Sequence, residues 1–151
     1  MITDYFRLEG KKALITGAGK GIGARIATVF AEMGADVALL ARTESDLDSV
    51  AREVAELSRE ALTFACDVTD EAALAGVVEK LTEHWGSLDI LVNNAGAPGQ
   101  GYGSLKKVTK ARFVNTLDIN LTSAYTLTHR ALPILQAAPS ASIVNVSSAL
   151  G

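Results

Sequence analysis

The sequence predicts an α/β fold built on a parallel sheet. Short runs of β-forming residues alternate with longer segments of helical period, which is the pattern of βαβ units. Most of those runs lack polar alternation, as strands covered on both faces do. A glycine-rich turn joins the first run to the first helix, giving the order βαβαβαβαβ.

The strand candidates are Lys12 to Ile15, Val37 to Ala41, Ala61 to Cys66, Leu88 to Val92 and Ser142 to Val146. Between the first two, Ile22, Ile26, Val29, Phe30 and Met33 share one helical stripe, and Gly34 follows as a stop. Leu47, Val50, Val54 and Leu57 form a second stripe. Leu74, Val77, Val78, Leu81 and Trp85 form a third. The fourth runs through Leu121, Ala124, Tyr125, Thr128, Leu132 and Leu135, with a kink expected at Pro133, which removes a backbone donor. Ala97 to Val108 is the longest irregular segment, either a loop beside a ligand or a plain surface connection.

With 151 residues, 48% hydrophobic and 21% charged, the chain has the size of one domain with its own core. No apolar run approaches the roughly 18 residues of a membrane span. The first residues, Met1 to Arg7, are mixed and include Asp4, so neither a secretory signal nor an acid-poor transit peptide is expected, and the cytoplasm is the expected location. A net charge of −3 without a basic run argues against nucleic acid or an anionic membrane as partner and leaves a small molecule. Cys66 has no second cysteine to pair with and reads as a buried strand residue.

Thr16-Gly17-Ala18-Gly19-Lys20-Gly21-Ile22-Gly23 lies at the first strand-to-helix junction. Glycine there permits positive φ and close backbone approach to a pyrophosphate, whose charge a helix N-terminus favours. The alternative is a glycine turn without a ligand. Its spacing, Gly17-x-x-x-Gly21-x-Gly23, is one residue wider than the common dinucleotide pattern.

That motif, with Asn93-Asn94-Ala95-Gly96 after the fourth strand, resembles the two hallmarks of the short-chain dehydrogenases/reductases. Cys66-Asp67-Val68-Thr69, Asp118-Ile119-Asn120 and Ile143 to Ser148 extend the resemblance along the chain. It implies a Rossmann-type doubly wound parallel sheet, three-layer αβα, of which this chain supplies five of seven strands and is incomplete at its C-terminal end. Residues 1–151 would form one NAD(P)-binding domain, truncated after the fifth strand. The implied reaction moves a hydride between nicotinamide and a ketone or secondary alcohol.

On this resemblance Thr16, Gly17, Gly19, Lys20, Gly21, Ile22 and Gly23 bind the dinucleotide, together with Asn94, Ala95 and Gly96. Asp67, with Val68, would accept from the adenine amino group; otherwise it is a helix N-cap for the segment beginning near Asp70. Ala41 stands where NAD-specific members carry an acid, and Arg42 follows, so NADP(H) is expected in preference to NAD(H); Glu44 nearby argues the other way. Asn120 would hold a water of the proton relay, or serve as a structural amide. Ser148, in a Ser-x-x-Gly setting, would hydrogen-bond the substrate oxygen, ahead of Ser147. His84 and His129 are not placed to activate a nucleophile.

The family's Tyr-x-x-x-Lys pair would lie beyond Ser148, past Gly151. In the family a further strand covers the fifth, and the helix bearing Tyr125 pairs with the one carrying the catalytic tyrosine, building a homodimer or homotetramer. The competing expectation is a noncatalytic dinucleotide-binding module or an inactive truncated remnant. No metal is expected.

Overall fold

The computed structural model describes residues 6–98 and 105–148. Five strands, β1 (Lys12–Thr16), β2 (Asp36–Ala41), β3 (Ala61–Ala65), β4 (Ile90–Asn93) and β5 (Ser142–Asn145), form one parallel sheet in the order β3-β2-β1-β4-β5. The register runs Lys12 beside Asp36, Val37 beside Ala61, Ala13 beside Ile90, and Ile90 beside Ser142. The chain builds outward from β1 to β3, then returns past β1 to lay down β4 and β5. Strand order therefore reverses between β1 and β4, where an open α/β sheet leaves a crevice at the carboxyl ends of its strands.

Helices α1 (Gly21–Glu32), α2 (Glu44–Glu56) and α3 (Glu71–Trp85) are the first three crossovers. The fourth is a long helical run: α4 (Lys110–Leu117), a π-helical turn (Asp118–Thr122) and α5 (Ser123–Gln136). Alternate strand residues point to opposite faces, so Ala13 and Ile15 pack with Leu47, Val50 and Val54 of α2. Leu14 and Leu91 pack on the other face with Leu74 and Leu81 of α3 and Leu127 and Ile134 of α5. The result is three layers, αβα.

Each strand lies where the sequence puts it, within two residues at either end. The α2 stripe is buried except for Leu57 at its C-cap, and the α3 stripe is buried except for half-buried Val78. Two stripes need correction. In α1 the fully buried residues are Gly23, Ala27, Thr28 and Ala31, while Ile22 is exposed and Ile26 and Phe30 are only half-buried. Small side chains let that helix lie close to the sheet, and its bulky residues flank the contact. In α5 the packed residues are Ser123, Leu127, Ala131, Ile134 and Leu135, whereas Leu121 of the preceding π turn and Tyr125 and Leu132 of α5 face outward. The helical run carries two apolar faces, and only one of them meets the sheet.

The strands also differ in cover. β1 and β2 are buried almost throughout, β3 is half-exposed, and β5 is exposed along its length. The expectation of burial on both faces therefore fails for β5. Helix α5 continues through Pro133 to Gln136, and Gly34 (φ +103°) ends α1 as expected. Among the described residues no helix is long and apolar enough to cross a membrane, and no cluster of metal-ligating side chains occurs.

Candidate active site

A cleft of about 310 Å³ opens at the carboxyl ends of the strands, beside the β1/β4 reversal. Its floor is the turn from β1 into α1. Gly17 (φ +65°) and Gly21 (φ +59°) adopt the left-handed conformation that glycine accepts without strain. A Cβ on Gly23 would stand 2.2 Å from the Gly17 carbonyl oxygen, so the start of α1 can sit against the turn only without a side chain there. Lys20, at the N-cap of α1, makes no side-chain capping bond. Among the described residues, no backbone acceptor takes the N–H groups of Gly21, Ile22 or Gly23. Uncommitted donors at a helix N-terminus form an anion site.

The second wall is the Asn-Asn-Ala-Gly turn, held by Thr16. Buried at the end of β1, the Thr16 hydroxyl accepts from the N–H groups of Asn94 (3.0 Å) and Ala95 (2.9 Å) and donates to the Val92 carbonyl (3.4 Å). The Asn94 amide donates to the Thr16 carbonyl at 2.9 Å and the Gly17 carbonyl at 3.4 Å, locking β4 to the glycine turn. Asn120 buttresses the turn from the π-helical segment: its Nδ2 donates to the carbonyls of Ala97 (3.1 Å) and Thr116 (2.9 Å), and its Oδ1 accepts from Ala97 N–H (3.1 Å). Single π turns are frequent at functional sites because they re-aim one side chain within a helix.

The outer wall joins the ends of β2 and β3. Arg42 and Thr43 line it, with Thr43 at the N-cap of α2 and making no side-chain capping bond. Asp67 is not the cap of α3; Asp70 is, accepting from Ala73 N–H at 3.0 Å. Instead the Asp67 Oδ1 accepts from the backbone N–H of Thr69 (2.9 Å) and from its hydroxyl (2.8 Å). Those two bonds, with the nearby Arg42 charge, hold the Asp67 carboxyl below the usual aspartate range against some opposing burial. Cys66, read from sequence as a buried strand residue, lies just past β3 and is half-buried at the cleft wall. Burial first, then the charges of Asp70 and Asp67, push its thiol up, which disfavours the reactive thiolate.

The cleft thus gathers Gly17, Gly19, Lys20, Ile22, Arg42, Asp67, Val68 and the Asn94-Ala95-Gly96 turn from the sequence-predicted set. Thr16 and Gly23, both buried, do not line it but brace its walls, and Gly21 is exposed at the start of α1 outside its lining. A model of the short chain dehydrogenase family matches residues 11–151. The chain belongs to that family. An uncharacterised oxidoreductase of Mycobacterium tuberculosis is 38% identical over the whole chain, which covers 57% of that protein. The carveol dehydrogenase of Mycobacterium avium, solved with NAD, is similar in structure with a TM-score of 0.88 at 33% identity, covering 94% of this chain and 56% of the other. A metagenomic short-chain oxidoreductase solved with NADP gives 0.87 at 37% identity, covering 93% and 63%. The chain therefore spans a little over half the length of the curated relative and the two solved structures.

Within this family member, sequence reasoning missed Thr43, Asp46, Ala97 and Ile119 of the cleft wall. Asp46 was the most accessible of these, since an acid three residues after a threonine cap marks a first helical turn. Glu44, the acid that argued against NADP(H), does not line the cleft; Asp46 does. Ser148 is exposed beyond β5. The groove beside β5 is lined by Ser147, with Asn93, Asn120, Tyr125 and Asn145. Residues Ala149 to Gly151, which complete the Ser-x-x-Gly setting, lie outside the described residues, as does most of the glycine-rich stretch after Ala97.

Proposed function

We propose that the full-length protein is an NADP(H)-dependent oxidoreductase that transfers a hydride between the nicotinamide and a ketone or secondary alcohol. The observation that carries the reading is the outer end of the cleft, where Arg42 and Lys20 are two cations and Ala41 replaces the acid that would repel a 2′-phosphate. The residues fit the dinucleotide: the uncommitted N–H groups at the start of α1 suit a pyrophosphate, and Asp67 retains Oδ2 as an acceptor for the adenine amino group.

When bound, the cofactor would give a hydride to a ketone or take one from a secondary alcohol. The chain orients it through the glycine turn and the Asn94-Ala95-Gly96 wall, while Ser148 donates a hydrogen bond to the substrate oxygen. Asn120, which lines the groove beside β5 with Ser147, would hold a water in the proton path, its amide kept in place by the Ala97 and Thr116 carbonyls. By resemblance, a tyrosine and a lysine four residues later, beyond Gly151, complete the proton transfer. The protein works in the cytoplasm on a small carbonyl or alcohol substrate, as a homodimer or homotetramer.

Titration of NADP(H) and NAD(H) against the full-length protein and its Arg42→Ala variant tests the preference. The expected result is tighter NADP(H) binding in the parent and a selective loss of about tenfold or more in the variant, a bidentate charge-assisted contact being removed. Equal or tighter NAD(H) binding in the parent would sink the reading.

A further inference from the structure

Besides Asp67, whose Oδ1 is committed to Thr69, the structure brings a second acid to the cleft, Asp46, in the first turn of α2. It stands against the glycine turn: a Cβ built on Gly19 would lie 2.9 Å from the Asp46 Cβ and 3.8 Å from its Oδ2. Among the described residues Asp46 has no hydrogen-bond or ion-pair partner. Nor does any backbone acceptor take the N–H groups of Glu44, Ser45 or Asp46 itself. Two anions therefore compete for one place. The N-terminus of α2 favours negative charge, and both the Asp46 carboxylate and a 2′-phosphate held by Arg42 and Thr43 would draw on it. A carboxylate lining the same cleft as Arg42 and Thr43 would also repel that phosphate directly, and more strongly at the protein edge than in bulk water.

We infer that Asp46 is a specificity-determining residue, an anion beside the 2′-phosphate subsite that holds down the preference for NADP(H) and keeps NAD(H) usable. The inference rests on the proposed reading that Arg42 marks the 2′-phosphate. Gly19 belongs to the same device, because any side chain there would displace the carboxylate from the cleft wall.

Equilibrium titration of NADP⁺, NAD⁺ and the fragments 2′,5′-ADP and 5′-AMP, against the full-length protein, Asp46→Asn and Arg42→Ala, tests it. Asp46→Asn should bind NADP⁺ and 2′,5′-ADP about fivefold more tightly at low ionic strength, with NAD⁺ and 5′-AMP within about twofold of the parent, and the gap should narrow in salt. Asparagine keeps the side-chain shape at the start of α2, and a circular dichroism melt confirms that the variant is folded. Should Asp46 only stabilise its helix, the melting temperature would fall while all four affinities stayed put, and the inference would be overturned. An equal change for phosphorylated and unphosphorylated ligands would overturn it too. If Arg42→Ala selectively weakens NADP⁺ while Asp46→Asn changes nothing, the inference alone fails. If Arg42→Ala leaves NADP⁺ unaffected, the cofactor reading fails with it.

Discussion

Gly21 and Gly23 are two residues apart, yet the structure gives a side chain different consequences at each. At Gly23 a Cβ would collide with the Gly17 carbonyl and lie 2.6 Å from the Asn94 amide, both of which are held in the wall of the cleft. At Gly21 nothing lies within 4 Å of an added Cβ, and the obstacle is the backbone itself at φ +59°. Gly23→Ala should therefore destabilise the fold by about 1–3 kcal/mol through overpacking and distort the turn. Gly21→Ala should lose about 1–2 kcal/mol from left-handed strain, with the cleft still formed. Urea denaturation with dinucleotide titration separates the two: the expected order is a larger loss of binding at Gly23. The reverse order would show that the cofactor occupies the space beside Gly21, as the motif spacing alone suggests. Neighbouring Thr16 makes a complementary case. Its hydroxyl satisfies two N–H groups of the half-buried turn at once, so Thr16→Val should lose about 1–3 kcal/mol and loosen the Asn94-Ala95 wall although Thr16 does not line the cleft. A stability equal to the parent would show that those N–H groups find other acceptors.

At the scale of elements, the sheet is held at its amino ends by polar clamps as well as by its apolar faces. Glu60, just before β3, accepts from the Trp85 indole N–H (2.8 Å) at the end of α3 and bonds the His84 ring (2.8 Å). The Lys12 ammonium donates to the Trp85 carbonyl (2.8 Å), so β1, β3 and α3 meet at one point. The indole bond first, then His84 and the positive charges nearby, hold the Glu60 carboxyl below its ordinary range against partial burial. A depressed carboxylate contributes stability that is fully present above its unfolded value and is lost as pH falls through its folded value. The clamp should thus persist through mildly acid pH and fail only below the usual glutamate range. Trp85 fluorescence followed from pH 7 downward checks this, and Glu60→Gln should remove the transition. The strands were legible in the sequence as short, almost uninterrupted apolar runs between helical segments, and the α2 and α3 stripes because each has a single apolar face and a clear stop. The glycine turn, Arg42 and the Asn94 turn were legible because short motifs at strand ends fix their place. What escaped was set by packing: α1 uses Ala27 and Ala31 where its bulky residues carried the stronger periodic signal, and Asp46 reaches the cleft only because Gly19 leaves room for it.

Across the whole molecule, cover is uneven. The faces of β1, β2 and β4 lie under helices, whereas Ile143, Val144 and Val146 on the fifth-strand side are exposed, together with Phe113, Val114 and Leu117 on α4, Leu121 on the π turn, and Tyr125 and Leu132 on α5. Tyr125 is 69% exposed, although its ring stacks on His129 at 5.9 Å. Between α5 and β5 runs a groove of about 530 Å³, and Asn93, which lines it, carries a buried Oδ1 with no hydrogen-bond partner among the described residues. Apolar surface of this extent and a bare parallel edge promote association. A polypeptide ending at Gly151 should accordingly be aggregation-prone and bind a hydrophobic dye, and pairing Val144→Lys with Leu121→Lys should make it more soluble. The same polypeptide should turn over NADPH and a ketone panel poorly, since general acid/base assistance is worth roughly 10²–10⁴ in rate and no Tyr-x-x-x-Lys pair follows Ser148 up to Gly151, the spacing at Tyr102 and Lys106 coming well before that serine in the chain. Expression beside a version as long as its relatives, compared by light scattering and NADPH oxidation, provides the measurement. A soluble, monomeric 151-residue protein with the turnover of the longer one would mean that the proton transfer is carried by Ser148, Asn120 and their neighbours alone, and the proposed tyrosine and lysine would have to be abandoned.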